Sequence, residues 1–405
     1  MRWGLHLALV VLALALAVSP TTASGASGDL QSRLTQSLRS PYLSLGRTAA
    51  IAVDARTGDV LYAHNASRPM IPASNEKLPV SWAALSRLGP GFRFRTEVLG
   101  AGAREGATWR GDLFIKGYGD PTLTSADVGR LADIVRGAGI TRVTGWIRGD
   151  ESVYDSRRDA PGWKRGFVGI ETPPLSALVV DRARGFGPAK PPPLLAARAL
   201  RTALAARGVQ VAGPSGLGSA PTDAALFARD RSASLTVIVR SMNRDSDNFT
   251  AEMLLKHLGT LDGQVGTSAR GARTVLAEMA AARIPIAGVR LVDGSGLSSL
   301  DRITAETLVA VIRAGLENPR IRNAFVGSLA VAGRSGTLRT RLPTLAGVVR
   351  GKTGTTNLAC SLSGIVNDSV VFAVLQNGSP VAFWPARTAQ DRFVTALARS
   401  VAQAG

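Results

Sequence analysis

Two β-hairpin signals stand at opposite ends of this 405-residue chain, and they limit the fold more than any other feature. Near the N-terminus, apolar-rich runs at 49–54 and 59–64 flank Arg56-Thr57-Gly58, with glycine in the turn. Near the C-terminus, Leu362 to Val366 and Ser369 to Gln376 are joined by Asn367-Asp368, and a helix from about Ala386 to Val401 follows. A hairpin alone is marginally stable in water, so the two pairs are expected to share one antiparallel sheet. Helical patterns at 74–88, 235–258 (broken near 244–248), 267–282 and 305–316 supply its flanking layers. The fold class is therefore α/β (α+β). Residues 96–233 change character. They carry short strand-like pieces at 113–116, 144–147 and 176–180, a helix at 194–206, and Pro/Gly-rich tracts at 171–174 and 185–193. This stretch is expected to be an inserted mixed α/β region with its own core, dividing one discontinuous domain into 27–95 and 234–405.

The first residues, Met1-Arg2-Trp3, precede an apolar run from Leu5 to Val18 and small residues through Ala26. This pattern predicts a secretory signal peptide over residues 1–26 and an exported chain, periplasmic or wall-associated in a bacterium. The alternative is a retained anchor, although the run is shorter than the ~20 residues of a comfortable span. The composition, 45% hydrophobic and 19% charged, is that of a globular protein. A formal charge of +19 suits peripheral contact with anionic envelope polymers or acidic membrane lipids. Aromatics at 5% supply few stacking platforms, and export argues against a nucleic-acid partner.

Several chemistries are poorly supported. The single cysteine, Cys360, excludes internal disulfides and cysteine-based zinc modules. The three histidines are His6, His64 and His257, and H-E-x-x-H, G-x-G-x-x-G, P-loop and G-x-S-x-G patterns are missing. No cofactor and no metal are expected.

Lysine is scarce: six of the 48 cations, the other forty-two being arginine. Two of the six fall inside short motifs. Pro72-Ala73-Ser74-Asn75-Glu76-Lys77 contains S-x-x-K, which puts a hydroxyl and an amine on one helix face. A serine needs an adjacent base, and a buried lysine can serve where an arginine cannot deprotonate. Ser246-Asp247-Asn248 sits at the predicted break between two helices, where a turn aims Ser246 and Asn248 into a cleft. Read alone, it is also an ordinary capping sequence. Gly351-Lys352-Thr353-Gly354-Thr355 precedes a strand, and a Lys and Thr on a strand edge suit a carboxylate, with Gly354 admitting a substrate backbone.

S-x-x-K, S-x-N and K-T-G in this order resemble the motif set of the penicillin-recognising serine enzymes. The wide gap between Ser74 and Ser246 narrows the match, as do Lys116-Gly117-Tyr118-Gly119-Asp120-Pro121, Pro174-Leu175-Ser176-Ala177-Leu178, Asp293-Gly294-Ser295-Gly296-Leu297-Ser298 and Ser335-Gly336-Thr337-Leu338. Together they resemble the D-alanyl-D-alanine carboxypeptidase/endopeptidase family of low-molecular-mass penicillin-binding proteins, from about Ala49 to the last helix. The resemblance implies a penicillin-binding-protein/β-lactamase-like sheet. It implies Ser74 as nucleophile, Lys77 as general base, Ser246 as proton relay, Asn248 on the substrate amide, and Lys352 with Thr353 on the terminal carboxylate. Gly354 and Thr355 would line the substrate strand, with the Ser74 and Thr355 N–H groups as oxyanion hole. Lys352 would add charge that keeps Lys77 neutral. Peptidoglycan stem peptides would be substrates and β-lactams covalent inhibitors. The family's acidic stem-recognition residue has no unambiguous counterpart in 162–171.

The rivals are a β-lactamase and a non-catalytic wall-binding protein of the same fold. The Glu-x-x-Leu-Asn and Tyr-x-Asn elements of two β-lactamase classes are missing, and all the candidate side chains are present, so the peptidase is favoured. Glu76 is expected to complement a helix N-terminus, His64, His257 and Cys360 to be structural, and the 293–298 loop to be architecture, with its Ser and Asp bordering the cleft as the alternative. The arginines of the last helix are expected to be solvated over a face that packs on the sheet.

Overall fold

The computed structural model describes residues 23–184 and 190–404, so most of the expected leader and residues 185–189 of the expected loop lie outside the described residues. Helix α1 (Ala23–Leu38) leads to the first hairpin, β1 (Thr48–Asp54) and β2 (Val60–His64). Residues Ala73–Glu76 form a 3₁₀ turn that runs directly into α2 (Lys77–Leu88), which stops at Gly89 with φ 83°. Strands β3 (Arg95–Glu105) and β4 (Thr108–Gly117) pair over their full length. After them come α3 (Ser125–Gly137), β5 (Arg142–Val143), β6 (Ile147–Asp150), the single turn α4 (Phe167–Ile170) and α5 (Pro192–Ala205). Strands β7 (Gln210–Val211), β8 (Ser215–Leu217) and β9 (Ala225–Arg231) complete this part. Five helices follow: α6 (Leu235–Asp245), α7 (Asn248–Leu258), α8 (Ser268–Ala281), α9 (Ala305–Glu317) and α10 (Arg322–Ser328). The chain ends with β10 (Ala330–Val331), β11 (Val349–Thr355), β12 (Ala359–Val366), β13 (Val370–Asn377) and α11 (Phe383–Ala404).

The two terminal hairpins do share one sheet. Its order is β10-β11-β12-β13-β1-β2, with every neighbour antiparallel. Side chains alternate across a pleated strand, and this sheet is apolar on both faces. Ala49, Ile51, Val53, Val371, Ala373 and Leu375 point to a core shared with α2 and α6–α9. Their neighbours Ala50, Ala52, Phe372 and Val374 point to a second core closed by α1 and α11. Each fully buried large aliphatic or phenyl side chain contributes roughly 1.5–3 kcal/mol, so both faces must stay covered. The three-residue β12–β13 loop places Asn367 and Asp368 at φ 49° and 54°, a left-handed conformation that Asn and Asp tolerate, and the Ser369 N–H closes the turn on the Val366 carbonyl at 3.0 Å.

A second sheet, of seven strands, takes β3 through β9 and packs on α3 and α5 through Leu113, Ile115, Leu131, Val135, Leu200 and Leu204. Sequence and structure differ here in detail. Of the expected strand at 144–147, residues 144–146 are the link between β5 and β6, and the strand starts at Ile147. Residues 176–180 form no strand; the Ser176 hydroxyl donates to Glu151 at 2.5 Å and accepts the Leu178 N–H at 3.1 Å, turning the backbone away from a ladder. β3, β9 and α3 have no counterpart in the sequence reading. The two parts meet where Tyr154, Leu175 and Leu195 pack against Phe249 and Met253 of α7.

Candidate active site

The 3₁₀ turn sets the first contact. Residues three apart eclipse in that geometry, more closely than in the expected α-helix, and Lys77 Nζ donates to Ser74 Oγ at 2.9 Å. Ala73, just before the serine, sits at φ 49° without being glycine, a strained conformation of the kind that clusters at functional sites. Gly296 abuts it at φ 78°; a Cβ there would collide with the Ala73 carbonyl oxygen.

The break between α6 and α7 makes the second contact. Ser246 ends α6 in the left-handed region, φ 59°, and Asn248 opens α7 two residues later. That reversal points both side chains inward. Asn248 Oδ1 accepts from Lys77 Nζ at 2.9 Å, while its Nδ2 donates to the Glu171 carbonyl at 3.2 Å. Ser246 Oγ accepts from Lys352 Nζ at 2.8 Å. Asp247 points away and holds Arg182 in a two-pronged ion pair at 3.0 and 2.5 Å, tying the inserted region to α7.

Strand β11 forms the third wall. The two-residue β10 covers only Arg350 and Gly351, so the outer edge from Lys352 to Thr355 is unpaired by any strand. Gly354 packs so closely on the first motif that a Cβ would lie 2.8 Å from the Ser74 nitrogen. Asn75 locks the two together, donating to the Lys352 carbonyl at 3.2 Å and to Ser361 Oγ at 2.6 Å. Thr353 Oγ1 donates to Thr337 Oγ1 at 2.8 Å, and Lys352 Nζ donates to the Thr353 carbonyl at 2.7 Å. Exposed Thr355 lines an adjoining cavity of about 160 Å³ with Lys164, Glu171 and Ser298.

All the candidate side chains therefore converge. Ser74, Ser246 and Thr353 are half-buried and reachable, whereas the amines of Lys77 and Lys352 have no exposed surface. Burial brings Lys77 down to about 8, against the opposing pull of Asp293, Glu252, Asp247 and Glu76. Lys352 lies well below the ordinary lysine value, through burial first and the charge of Lys77 second. The expectation that Lys352 helps keep Lys77 neutral differs from the free protein, where burial is what lowers Lys77 and repulsion from Lys77 weighs on Lys352.

Other residues differ from their sequence reading. Glu76 does not complement a helix N-terminus; it is fully buried with neither oxygen hydrogen-bonded among the described residues. The 293–298 loop is more than architecture at a distance, since the Ser295 carbonyl accepts from Lys77 Nζ at 2.6 Å. Sequence reasoning missed Thr337, Glu171 and Trp163, whose Nε1 donates to Asp293 at 2.8 Å. Thr337 lies in a segment already singled out, but no spacing rule pairs it with Thr353. His257 is buried beside Phe92 and Phe94, with burial holding its ring at about 4. Cys360 is buried, and its thiol is pushed up by that burial. Among the described residues no cluster suited to a metal ion is found.

A family model described as D-Ala-D-Ala carboxypeptidase 3 (S13) family matches residues 30–186 and 188–400. A D-alanyl-D-alanine carboxypeptidase of Actinomadura sp. (strain R39) is 29% identical, over 90% of this chain and 84% of its own. Carboxypeptidase DacB of Mycolicibacterium smegmatis is 33% identical, over 86% of this chain and 80% of its own. Among solved structures, penicillin binding protein 4 (dacB) from Haemophilus influenzae superposes with a TM-score of 0.80 at 21% identity, covering 91% of this chain and 99% of that one.

Proposed function

The chain belongs to the D-Ala-D-Ala carboxypeptidase 3 (S13) family, and from that premise we propose that it removes the terminal D-alanine from peptidoglycan stem peptides through an acyl-enzyme on Ser74. The observation that carries this reading is the 2.9 Å contact between Ser74 Oγ and a fully buried lysine amine. With Lys77 neutral, its lone pair takes the hydroxyl proton as Oγ attacks the penultimate D-alanine carbonyl. A positioned base of this kind supplies roughly 10²–10⁴ in rate. Ser246, bonded to Lys352, relays the proton to the leaving amine. Water then attacks the ester, with Lys77 again as base.

The substrate runs along the open edge of β11, exchanging backbone hydrogen bonds as an added strand. Its terminal carboxylate meets Lys352 and the Thr353 hydroxyl. That anion compensates a charge which burial and Lys77 disfavour, so substrate binding favours the protonated form of Lys352 and, by repulsion, lowers the proton affinity of Lys77. The N–H groups of Ser74 and Thr355 face the developing oxyanion. Gly354 leaves room for this approach, and Asn248 holds Lys77 and orients the substrate amide. β-Lactams, whose ring presents a carbonyl and a carboxylate at similar spacing, acylate the same serine. A cavity of about 410 Å³ beside Asp247, Arg182 and Glu171 leaves space for the rest of the stem, including a cross-linked one, so endopeptidase activity belongs to the same reading. The leader-like N-terminus and the +19 charge support export to an anionic envelope.

Purified protein should bind a labelled penicillin covalently and release D-alanine from a pentapeptide stem, and Ser74→Ala should abolish both. Penicillin labelling with no D-alanine released from any stem or cross-linked substrate points to a binding role. Rapid penicillin hydrolysis would replace the reading with a β-lactamase.

A further inference from the structure

Beneath Lys77 four carboxyl groups from separate stretches of chain, Glu76, Glu252, Asp293 and Asp301, are packed with no exposed surface. Their hydrogen bonding divides them. Asp293 accepts from the N–H groups of Gly296 and Ser298, each at 2.7 Å, from Trp163 Nε1 at 2.8 Å and from Ser295 Oγ at 3.2 Å. Four donors suit an anion. Glu252 has one satisfied oxygen: Oε1 accepts the N–H groups of Gly294 at 2.9 Å and Ser295 at 2.8 Å, while Oε2 has no partner. Asp301 is alike, with Oδ1 on the Val292 N–H at 2.7 Å and Oδ2 unpaired. Glu76 has no donor on either oxygen, although its Cβ stands against Gly296. An ionised carboxylate buried without donors costs several kcal/mol, which a neutral acid avoids.

Glu252 lies one helical turn beyond Asn248, on the same face of α7. That face therefore grips the Lys77 amine twice: directly through Asn248 Oδ1, and indirectly through Ser295, whose N–H Glu252 holds and whose carbonyl accepts from the amine. We propose that Glu252 is a positioning residue for Lys77: one oxygen clamps the 294–295 backbone that presents a carbonyl to the amine, and its carboxyl, held neutral, keeps a second negative charge away from the base. The proposal rests on Lys77 being the base for Ser74.

The titratable groups facing Lys77 are Asp293 and Glu252 beneath it, Glu76 beside it, Asp247 just ahead of α7 and paired with Arg182, and Lys352 across the cleft; Asp293 and Asp247 have the donors an anion needs, and Glu252 and Glu76 do not. Burial first, and the charge of Asp293 second, push Glu252 up to about 8, where Lys77 also titrates. Two such neighbours lose their protons in two shared steps, because ionising the acid strengthens the amine's hold on its own proton.

The test uses the full chain without substrate. Glu252→Gln retains an acceptor for Gly294 and Ser295 but cannot ionise. At neutral pH the infrared spectrum of the parent minus the variant should contain the C=O stretch of a protonated carboxyl, which fades as pH rises through 8. With ¹³Cε-lysine there are six signals to follow, and Lys77 should titrate in the variant as a single step about one unit lower than in the parent. No protonated-carboxyl band, or an unmoved Lys77 titration, overturns the proposal. Glu76→Gln disturbs no hydrogen bond, so its folding does not depend on the clamp. It should leave the Lys77 titration in place, and a downward shift of a full unit would show an ionised Glu76 and overturn the neutral-cluster account. Neither readout needs turnover, so a parent protein that penicillin fails to label counts against the acyl-enzyme and not against the clamp.

Discussion

Lys77 and Lys352 stand on opposite sides of one cleft, each fully buried and each hydrogen-bonded to a serine hydroxyl, yet their surroundings differ in kind. Lys77 rests above carboxyl groups, one of them a well-satisfied anion. Lys352 has a hydroxyl, its neighbour's carbonyl and a second amine, and burial with repulsion drives it far below an ordinary lysine. On the proposed reading, the first arrangement suits a base that gives up its proton near pH 8, and the second a cation site completed by an incoming carboxylate. One residue type would thus perform two tasks because only one of the two sites contains its own counter-charge.

The largest effect is expected from exchanging each lysine for arginine. Lys77→Arg removes the ability to deprotonate, and the rate of penicillin acylation read by intact mass should fall by about 10³-fold or more. Lys352→Arg keeps a cation for the carboxylate, and a loss of roughly 10–100-fold is expected, mainly as a raised KM for carboxylate-bearing peptides. Equal losses in the two variants would break the comparison. Next, Thr353→Val removes one hydroxyl from the carboxylate site and strands Thr337, which should lower kcat/KM for a D-alanyl peptide about tenfold while Ser74 labelling persists. The last effect is on stability and not on rate. The folded value of Glu252, about 8, lies above its ordinary 4.5, so between those limits the native state holds a proton the unfolded chain has released. Its contribution is complete below pH 4.5 and is lost as pH rises through 8. Urea midpoints of the parent should therefore fall relative to Glu252→Gln over that interval; a constant difference would place the proton elsewhere.

What could be read from the sequence was whatever physics keeps local. S-x-x-K brings its hydroxyl and amine together within one turn, and Asn367-Asp368 between apolar runs marks a hairpin by conformation alone. Even locally there were misses. Thr124 and Asp127 form a reciprocal capping box that announces α3, yet the surrounding turn residues hid it. β3 and β9 escaped because their exposed, Gly- and Arg-containing ends break the alternation of a half-buried strand. The segment 176–180 misled in the other direction: it is apolar enough for a strand, but Ser176 satisfies its backbone locally. The carboxyl cluster was illegible for a deeper reason. Glu76, Glu252, Asp293 and Asp301 share no spacing, and although Glu76 and Asp293 lie in segments singled out, no sequence rule brings the four together. Only the closure of α7 and the 293–298 loop over the 3₁₀ turn makes neighbours of them.

The most direct test of the account is the rate of Ser74 acylation by penicillin as a function of pH, followed by rapid-quench intact mass. If Lys77 is the base, the rate climbs with pH to a plateau, with a midpoint near the value of about 8 that burial gives its amine, and the climb disappears in Lys77→Arg. A rate that stays flat through that range, or a climb that survives in Lys77→Arg, would contradict it.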